Sequence, residues 1–553
     1  MRDLILRHSL SNALEHDGKA DVQAVIGSVL GEDPSLKSKV KELFPEIRKI
    51  VEEVNSYSIE KQRQVLGGFG GEIKKEPKEE GGLPGLPNAE TGKVILRMAP
   101  FPSGPLHIGN SRMAILNSEY AKKYKGKLFL VFDDTIGSED KPLLPEAYEL
   151  IEDSLKLLKV KYDKKFYKSD RLEIFYKVAK ELIEKGVVYV CHCDAETLRR
   201  NRVEGVACGH RSIGIEVTLK DWELMLKGKY KEGGAVLRLK SDMNHPNPAF
   251  RDRVLMRIAN RKHPRVGTKY KVWPMLEFSW AVDDHLLGIT HIIRGKDLVI
   301  EDMMEKFIWN VMGWKMPEII HHGFLRIGDA KLSKTQSRKS IQKGVYSGWD
   351  DPRIWSVQSL IKRGIQPEAI RNFVINMGLS MSDVAVPEEI LYSENRKLID
   401  AKANRYLAVL NPVQISVGGA GKIKSVKANL HPEFAKRGKK TIPVDVTKVY
   451  VEKSDFEKYS GKEVGLINLF SVRLGKKSAM TSKGVGYELP KVHWVSSPNA
   501  KTKIAMPDGS VTNALAEPNI KKLKEGDLIQ LYRVGFCRVG KTGKDTVLYF
   551  AHK

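Results

Sequence analysis

The segment RMAPFPSGPLHIGN, residues 97–110, restricts the possible folds of this chain more than any other segment. It follows the short apolar run Val94–Leu96, contains the Pro and Gly residues of a tight turn, and leads into a helix beside His107. A second apolar run, Leu128–Phe132, comes after that helical stretch. Two continuous apolar strands joined by a helix predict a right-handed βαβ unit in a parallel sheet buried on both faces. We therefore expect an α/β fold.

The turn before His107 also has the features of a phosphate site. A helix start offers unpaired N–H groups and the positive end of the helix dipole to an anion. Gly104 and Gly109 would let a nucleotide approach the backbone closely. Taken alone, the segment fits an ordinary strand-to-helix turn with a surface histidine better.

A second motif, AKLSKT at residues 330–335, lies more than 200 residues further along the chain in a polar stretch. Its lysines and hydroxyl groups could stabilise the charge on a triphosphate as it is split. Most basic loops are simply solvated surface. The interpretation therefore depends on the two motifs occurring together.

As a pair, HIGN and KLSKT resemble the HIGH and KMSKS signatures of class I aminoacyl-tRNA synthetases. Three further segments, LVFDDT, DDHLLGITHIIRGKDL and NRYLAVLNPV, are similar to those of archaeal-type glutamyl-tRNA synthetases. The resemblance covers about residues 91–553. It implies an α/β Rossmann-type catalytic domain with a connective insertion, a helical stem-contact region and C-terminal all-β barrels, preceded by a small N-terminal helical appendage.

The resemblance and the composition along the chain together predict seven segments. They are an N-terminal helical domain (1–66), a flexible Gly- and Pro-rich linker (67–90), the first Rossmann half (91–190), an acceptor-stem-binding insertion (191–270), the second Rossmann half with the KLSKT loop (271–345), a helical stem-contact domain (346–410) and two anticodon-binding β-barrels (411–553).

The resemblance also assigns an ATP site. His107 and Lys334 correspond to ligands of the ATP phosphates, and Ser333 supports the loop. Three further residues, Gly104, Gly109 and Lys331, complete the expected ATP contacts together with Asn110. At Asn110 the chain departs from the family pattern, which has a second histidine there; asparagine keeps a donor and an acceptor but carries no charge.

For the amino acid, the resemblance assigns Arg97 to the side-chain carboxylate of L-glutamate and Asp133 to its α-ammonium group. Arg294 favours glutamate over glutamine, because the family has arginine there in glutamate enzymes and an uncharged residue in glutamine enzymes. The physical argument agrees, since two arginines suit a carboxylate, whereas an amide would leave a buried charge unpaired. Leu276 stands where the family has a tyrosine.

Three of the four cysteines lie close together in the chain, as Cys191-His-Cys193 and Cys208-Gly-His210. Three thiolates and one imidazole form a complete tetrahedral ligand set for Zn²⁺. The one-residue spacers are shorter than usual, and buried thiols beside a surface histidine are the alternative. We expect a structural zinc site formed by Cys191, Cys193, Cys208 and His210.

Charge predicts a polyanionic partner. The net charge is +25, and residues 401–553 hold 28 basic and 12 acidic side chains. Basic surface of this extent favours nucleic acid, because binding releases counterions from phosphates. No apolar stretch is long enough to span a membrane, and four cysteines do not form a disulfide framework, so we expect a cytoplasmic protein and a monomer.

The predicted activity is ATP-dependent ligation of L-glutamate to tRNA(Glu) through a glutamyl-adenylate, with Mg²⁺ accompanying ATP. Charging of tRNA(Gln) as well stays open, and so does the identity of the anticodon-reading residues, for which Lys422, Lys424, Lys427, Arg437, Lys439 and Lys440 are candidates. Three alternatives are a glutaminyl-tRNA synthetase, a small nucleotidyltransferase that makes a cofactor, and a non-catalytic tRNA-binding protein on a synthetase scaffold. The presence of both signatures argues against the last.

Overall fold

The computed structural model of the 553-residue chain describes residues 1–15, 18–32, 36, 40–67, 83–137, 141–328, 330, 332–543 and 545–553. The chain divides into two compact units, Met1–Gly82 and Leu83–Lys553. Lys331 and residues 68–82 of the predicted linker lie outside the described residues. None of the described helices is long and apolar enough to cross a membrane.

The first unit is helical, as predicted for the N-terminal appendage. Its helices are α1 (Arg2–Glu15), α2 (Val22–Glu32), α3 (Val40–Asn55) and α4 (Ile59–Gly67). On α3, the apolar residues Ile47, Ile50, Val51 and Val54 are buried and pack against apolar residues of α1 and α2. The unit therefore has a hydrophobic core of its own.

The second unit contains the remaining helices. They are α5 (Ile108–Lys123), α6 (Ala147–Leu157), α7 (Leu172–Glu184), α8 (Ala195–Glu204), α9 (Ile215–Leu226), α10 (Leu276–Leu286), α11 (Val299–Met312), α12 (Lys334–Gln342), α13 (Val357–Arg363), α14 (Pro367–Asn376), α15 (Glu388–Ile399) and α16 (Lys453–Tyr459).

The strands before the barrels are β1 (Ile95–Met98), β2 (Lys127–Phe132), β3 (Lys164–Tyr167), β4 (Val188–Cys191), β5 (Val236–Leu239), β6 (Val254–Ile258), β7 (Val272–Pro274), β8 (His291–Gly295), β9 (Glu318–His322), β10 (Leu325–Ile327) and β11 (Val384–Val386). The later strands are β12 (Asn404–Tyr406), β13 (Ala408–Val409), β14 (Pro412–Gly418), β15 (Ser425–Asn429), β16 (Lys439–Pro443), β17 (Val449–Glu452), β18 (Glu463–Leu466), β19 (Ser471–Arg473), β20 (Lys477–Ser482), β21 (Lys491–Val492), β22 (Trp494–Ser496), β23 (Ala500–Ala505), β24 (Val511–Ala516), β25 (Leu528–Leu531), β26 (Gly535–Lys541) and β27 (Thr546–His552).

The second unit contains a five-stranded parallel sheet in the order β3-β2-β1-β8-β9, and this confirms the predicted α/β fold. Helix α5 connects β1 to β2, so the predicted βαβ unit is present. Strand β2 explains why the sheet is buried on both faces. Leu128, Leu130 and Phe132 belong to one hydrophobic core, and the alternating Phe129 and Val131 belong to the other.

Between β3 and β8 the chain forms an antiparallel sheet in the order β4-β5-β6-β7, with α8 and α9 between β4 and β5. Its strands run from Val188 to Pro274, so they begin and end a few residues outside the range 191–270 expected for the insertion.

The C-terminal region folds into two seven-stranded sheets, as expected for the barrels. Their strand orders are β12-β25-β26-β27-β23-β24-β13 and β21-β18-β19-β20-β14-β17-β22. Lys440, one of the candidate anticodon readers, is buried, and its Nζ contacts Glu517 Oε2 at 2.7 Å. Lys440 therefore belongs to the interior of this region and is not a surface contact for tRNA.

Residues 83–90 differ from the expected flexible linker. Leu83 and Leu86 are buried in the core of the second unit. The Leu86 N–H donates to Tyr124 Oη at 2.7 Å, and Asn88 Nδ2 donates to Glu318 Oε1 at 2.7 Å. The prediction relied on the Gly- and Pro-rich composition of the segment and did not consider that its two leucines could pack into the core of the second unit.

Candidate active site

His107 is the N-cap residue of α5. Its Nδ1 accepts a hydrogen bond from the Asn110 N–H at 3.3 Å, so the tautomer with a proton on Nε2 is the compatible one. Burial, with a further contribution from the nearby Lys334 charge, lowers the pKa of His107 to about 3. His107 is therefore neutral at physiological pH and acts as a hydrogen-bond donor rather than as a cation.

Lys334 is the first residue of α12, and its Nζ donates to the Gly104 carbonyl at 3.3 Å. This bond joins the two sequence signatures across 230 residues of chain. Burial lowers the pKa of Lys334 to about 8. Ser333 caps the same helix, because its hydroxyl oxygen accepts from the Gln336 N–H at 3.3 Å. Ser333 thus positions the start of the helix that carries Lys334.

The glycines of the first signature lie where side chains would not fit. Gly104 has φ +143°, and a Cβ there would lie 2.7 Å from Trp349. At Gly109 a Cβ would lie 3.0 Å from the His107 ring. Asn110 follows on α5, and its buried Oδ1 has no hydrogen-bond partner among the described residues. Gly104 is thus packed against Trp349, and Asn110 offers one unused acceptor nearby.

The three residues expected to hold the amino acid meet at one edge of the parallel sheet. Arg97 lies near the end of β1, Asp133 directly follows β2, and Arg294 lies near the end of β8. Open α/β sheets bind ligands at this carboxyl edge. Arg97, Arg294, His107 and Asn110 line a cavity of about 400 Å³ at this edge. Asp133, Leu276 and Lys334 are not among the residues that line it.

Arg97 and Asp133 already have partners of opposite charge. Arg97 makes two hydrogen bonds to Asp284, from Nε at 2.5 Å and from Nη2 at 2.7 Å. Its Nη1 has no hydrogen-bond partner among the described residues. Asp133 Oδ1 lies 2.9 Å from the buried Nζ of Lys168. Asp284 and Lys168 were not identified from the sequence, although Asp284 is part of the DDHLL segment.

The positive charge of Arg294 is offset by two carboxylates. Its Nη1 and Nη2 donate to the two carboxylate oxygens of Glu305 at 2.9 and 3.0 Å, and Nη2 also donates to Asp302. Burial disfavours the charge of Arg294, but the two carboxylates outweigh burial and raise its pKa. The argument that an amide would face an unpaired arginine is therefore wrong for Arg294, because its charge is neutralised without a ligand.

Trp280 lies at the centre of these charges. The Arg97 and Arg294 guanidinium carbons are 4.7 and 5.0 Å from its ring centroid, and Lys168 Nζ is 5.0 Å away. Several buried polar atoms of cavity-lining residues have no hydrogen-bond partner among the described residues: Trp280 Nε1, Arg294 Nε, Asn110 Oδ1, Arg112 Nε and His322 Nε2. Buried polar groups are rarely left unpaired, so this cavity is suited to a polar ligand.

The Cys/His cluster lies in the antiparallel insertion. Its four potential ligand atoms, from Cys191, Cys193, Cys208 and His210, all lie within 4.8 Å of one another. The Cys191 and Cys208 sulfurs are 3.7 Å apart, and Cys193 Sγ is 3.5 Å from His210 Nδ1. The sequence-predicted residues therefore converge.

Arg238 on β5 is a neighbour of this cluster that the sequence did not reveal. Its Nη1 lies 3.7 Å from Cys191 Sγ and 3.6 Å from Cys208 Sγ. Its Nε donates to the Asp252 carbonyl at 2.8 Å, and the side chain is buried. One buried cation thus faces two of the three sulfurs.

Comparisons with known proteins cover the whole chain. Residues 93–400 match the family model of the class I tRNA synthetase (E and Q) catalytic domain, and residues 403–489 and 491–540 match two anticodon-binding domain models of the same family. Among curated proteins, the chain is 43% identical to the glutamate--tRNA ligase of Pyrococcus furiosus and 44% identical to that of Pyrococcus abyssi. It is 40% identical to the glutamate--tRNA ligase of Methanocaldococcus jannaschii. These alignments cover 100% of this chain and 99%, 99% and 100% of the respective relatives.

Proposed function

We propose, starting from the fact that this chain belongs to the class I tRNA synthetases for E and Q, that it activates L-glutamate with ATP and transfers the glutamyl group to tRNA. The observation that carries the proposal is a cavity lined by His107 and by two arginines, Arg97 and Arg294, in a chain that matches glutamate ligases from end to end. We place the reaction in the cytoplasm and take the chain to act as a monomer.

In the first step, an oxygen of the glutamate α-carboxylate attacks the α-phosphorus of ATP, and the bond from that phosphorus to pyrophosphate breaks. The attacking carboxylate is already ionised at pH 7, so the protein need not supply a base. Catalysis then consists of placement and charge stabilisation. Mg²⁺ accompanies ATP and neutralises part of its charge.

The residues of the two signatures supply the remaining stabilisation. The Nε2–H of neutral His107 and the ammonium group of Lys334 are directed to the phosphates, while Ser333 keeps α12 in place. Gly104 and Gly109 leave room for the nucleotide, and the family assigns Asn110 and Lys331 to the same subsite.

The substrate amino acid is held at the sheet edge. Arg97 offers its Nη1 to the side-chain carboxylate while its other face stays on Asp284. The Nε–H of Arg294 and the Nε1–H of Trp280 are two of the buried donors here that have no partner among the described residues. Asp133 receives the α-ammonium group alongside Lys168. We propose these contacts as the glutamate site.

The Cys/His cluster fits a structural zinc ion. Tetrahedral Zn–S bonds of about 2.3 Å place sulfur atoms about 3.8 Å apart, close to the 3.7 Å between the Cys191 and Cys208 sulfurs. Three thiolates around Zn²⁺ leave one negative charge, which Arg238 offsets. All four positions are protein ligands, so the ion would stabilise the insertion and leave no open position for chemistry.

Aminoacylation with purified transcripts tests the proposal. We expect glutamate to be attached to tRNA(Glu), and a parallel reaction with tRNA(Gln) shows whether that tRNA is charged as well. Pyrophosphate exchange in the presence of tRNA, with glutamate and with glutamine, separates the two sister activities. Preferential activation of glutamine would identify a glutaminyl-tRNA synthetase, and binding of tRNA without activation of either amino acid would identify a non-catalytic protein.

A further inference from the structure

Behind the proposed glutamate site lies a second layer of carboxylates. Glu305 on α11 is completely buried and binds both terminal nitrogens of Arg294. It does not line the cavity, so it can act on a ligand only through Arg294.

The charged groups around Glu305 come from its own helix and from four other elements. They are Arg294 on β8, Asp302 on α11 itself, Asp284 on α10, Arg97 on β1 and, through Asp302, His321 on β9. Leaving His321 aside, and with every carboxylate ionised, Glu305, Asp302 and Asp284 exceed the two arginines by one negative charge. The cluster therefore has no positive charge to spare for the carboxylate of a substrate.

Entry of the glutamate side chain would add a further buried negative charge, which is costly in a medium of low dielectric constant. One of the resident carboxylates can relieve that cost by taking up a proton. Asp284 is held by two hydrogen bonds from Arg97. Asp302 has both Arg294 and His321 as partners, and although burial opposes it, these lower its pKa. Among the described residues, Glu305 forms hydrogen bonds with Arg294 alone.

Glu305 is also the carboxylate whose environment favours the neutral form. Burial raises the pKa of Glu305 to about 7, against the opposing charge of Arg294 and with a further increase from Asp284. A protonated Glu305 leaves Asp302, which accepts from Nη2, as the one ionised carboxylate bonded to Arg294 among the described residues, so the guanidinium charge becomes available to the substrate.

We propose that Glu305 is a positioning residue that takes up one proton from solvent when the side-chain carboxylate of glutamate enters the pocket. The step forms one O–H bond on Glu305 and changes no other bond. Glutamine, whose side chain is neutral, enters without proton uptake. The inference rests on the proposed function, and it makes discrimination between glutamate and glutamine depend on pH.

The sign of the dependence follows from linkage. Below pH 6 Glu305 is already protonated in the free protein, and affinity for glutamate is independent of pH. Above pH 7 each binding event must take up a proton, so affinity for glutamate falls by about tenfold per pH unit. Affinity for glutamine lacks this dependence.

The test uses two non-hydrolysable sulfamoyl adenylates that differ only in their side chain, glutamyl and glutaminyl. Calorimetric titration of the full-length protein from pH 6 to pH 9, in buffers of different ionisation enthalpy, gives the affinity and the protons taken up. The ratio of the two affinities cancels titrations common to both ligands, such as that of Lys334. We expect that at pH 8.5 the glutamyl compound takes up close to one proton more than the glutaminyl compound does.

Glu305→Gln keeps the shape of the side chain and imitates its protonated form. We expect this variant to bind the glutamyl compound at pH 8.5 at least about tenfold more tightly than the wild type, and to take up no more protons with it than with the glutaminyl compound. Glu301→Gln on the same helix is the matched control, because Glu301 is paired with Arg253 at 3.1 Å, outside this cluster. It should behave like the wild type.

Two results would overturn the inference. One is a wild-type ratio of glutamyl to glutaminyl affinity that does not change between pH 6 and pH 9. This result can be interpreted without any variant. The other is unchanged proton uptake in a folded Glu305→Gln protein. Failure of the proposed function looks different, since neither glutamate-dependent pyrophosphate exchange nor binding of either adenylate would then be observed.

Discussion

The substrate pocket and the Cys/His cluster both gather polar side chains around a small volume, but they balance charge in opposite ways. In the cluster, three thiols and an imidazole face one another within 4.8 Å, and Arg238 is the cation beside them. In the pocket, Arg97 and Arg294 are each already paired with a carboxylate. On our proposal the cluster is completed by an ion, whereas Arg97 and Arg294 are already neutralised and must exchange partners when a ligand binds.

The largest expected effect concerns the cluster. Structural zinc sites contribute on the order of 10 kcal/mol of apparent binding free energy at pH 7. Cys208→Ser should therefore abolish binding of one zinc equivalent and lower the unfolding temperature of the insertion. Elemental analysis of protein purified without chelator, together with a thermal melt, measures both quantities.

Cys537 supplies the control for that experiment. It is buried in β26, away from the cluster, so Cys537→Ala should keep the metal. Wild-type protein without zinc would favour buried thiols instead, and the contrast between a metal-completed cluster and a self-balanced pocket would fail.

The next effect concerns Arg294. Replacing it by cysteine removes a partner of the substrate carboxylate and should cost glutamate about 2–5 kcal/mol of binding. Glutamine should lose much less, so the ratio of glutamate to glutamine activation should fall at least about a hundredfold. Pyrophosphate exchange with each amino acid, at saturating ATP and with tRNA present, measures the ratio.

Arg294→Cys also leaves Glu305 and Asp302 without their arginine. The double variant Arg294→Cys/Glu305→Gln removes one of these stranded charges, so it separates poor substrate recognition from destabilisation of the pocket. Equal losses for glutamate and glutamine in both variants would mean that Arg294 supports the ATP site or the loop instead.

Lys334→Ala is expected to have a somewhat smaller effect, and one confined to adenylate formation. A single electrostatic stabiliser contributes about 2–4 kcal/mol to a transition state, or roughly 30- to 1,000-fold in rate. Adenylate formation should fall by that factor, with tRNA affinity and zinc content unchanged. Lys339→Ala, an exposed lysine on the same helix, should behave like the wild type. Unchanged pyrophosphate exchange in folded Lys334→Ala would contradict the assignment.

The two regions also differ in how far the sequence could predict them. The cluster residues lie within 20 positions of one another, so their donor types and spacing were sufficient to predict that they lie together. His107 and the βαβ unit were likewise local patterns. The acidic partners were not predictable, because Asp284 is 187 residues from Arg97 and becomes its neighbour only when β1 and α10 pack together. Glu305 resembles any acidic residue on a helix until its burial is known.

The boundary after the N-terminal unit shows the same limitation. Composition predicted one flexible segment over 67–90, because glycine and proline dominate it. Leu83 and Leu86 are nevertheless buried in the catalytic region. Composition describes an average over a segment, whereas attachment to a core depends on individual apolar residues and on the groove that receives them.

The smallest expected effect concerns the region that belongs to neither site. The first unit has its own hydrophobic core, so a chain that begins at Leu83 should activate glutamate and bind zinc as the full chain does. A matched chain that begins at Thr91 also removes Leu83 and Leu86, and burial of a leucine is worth about 1.5–3 kcal/mol. The shorter chain should therefore unfold at a lower temperature, although both keep every proposed ligand. Thermal melts, zinc analysis and pyrophosphate exchange on the two chains measure the difference. If the chain that begins at Leu83 folds and yet forms no adenylate, the first unit contributes to the pocket, and the charge balance described for the pocket would be incomplete.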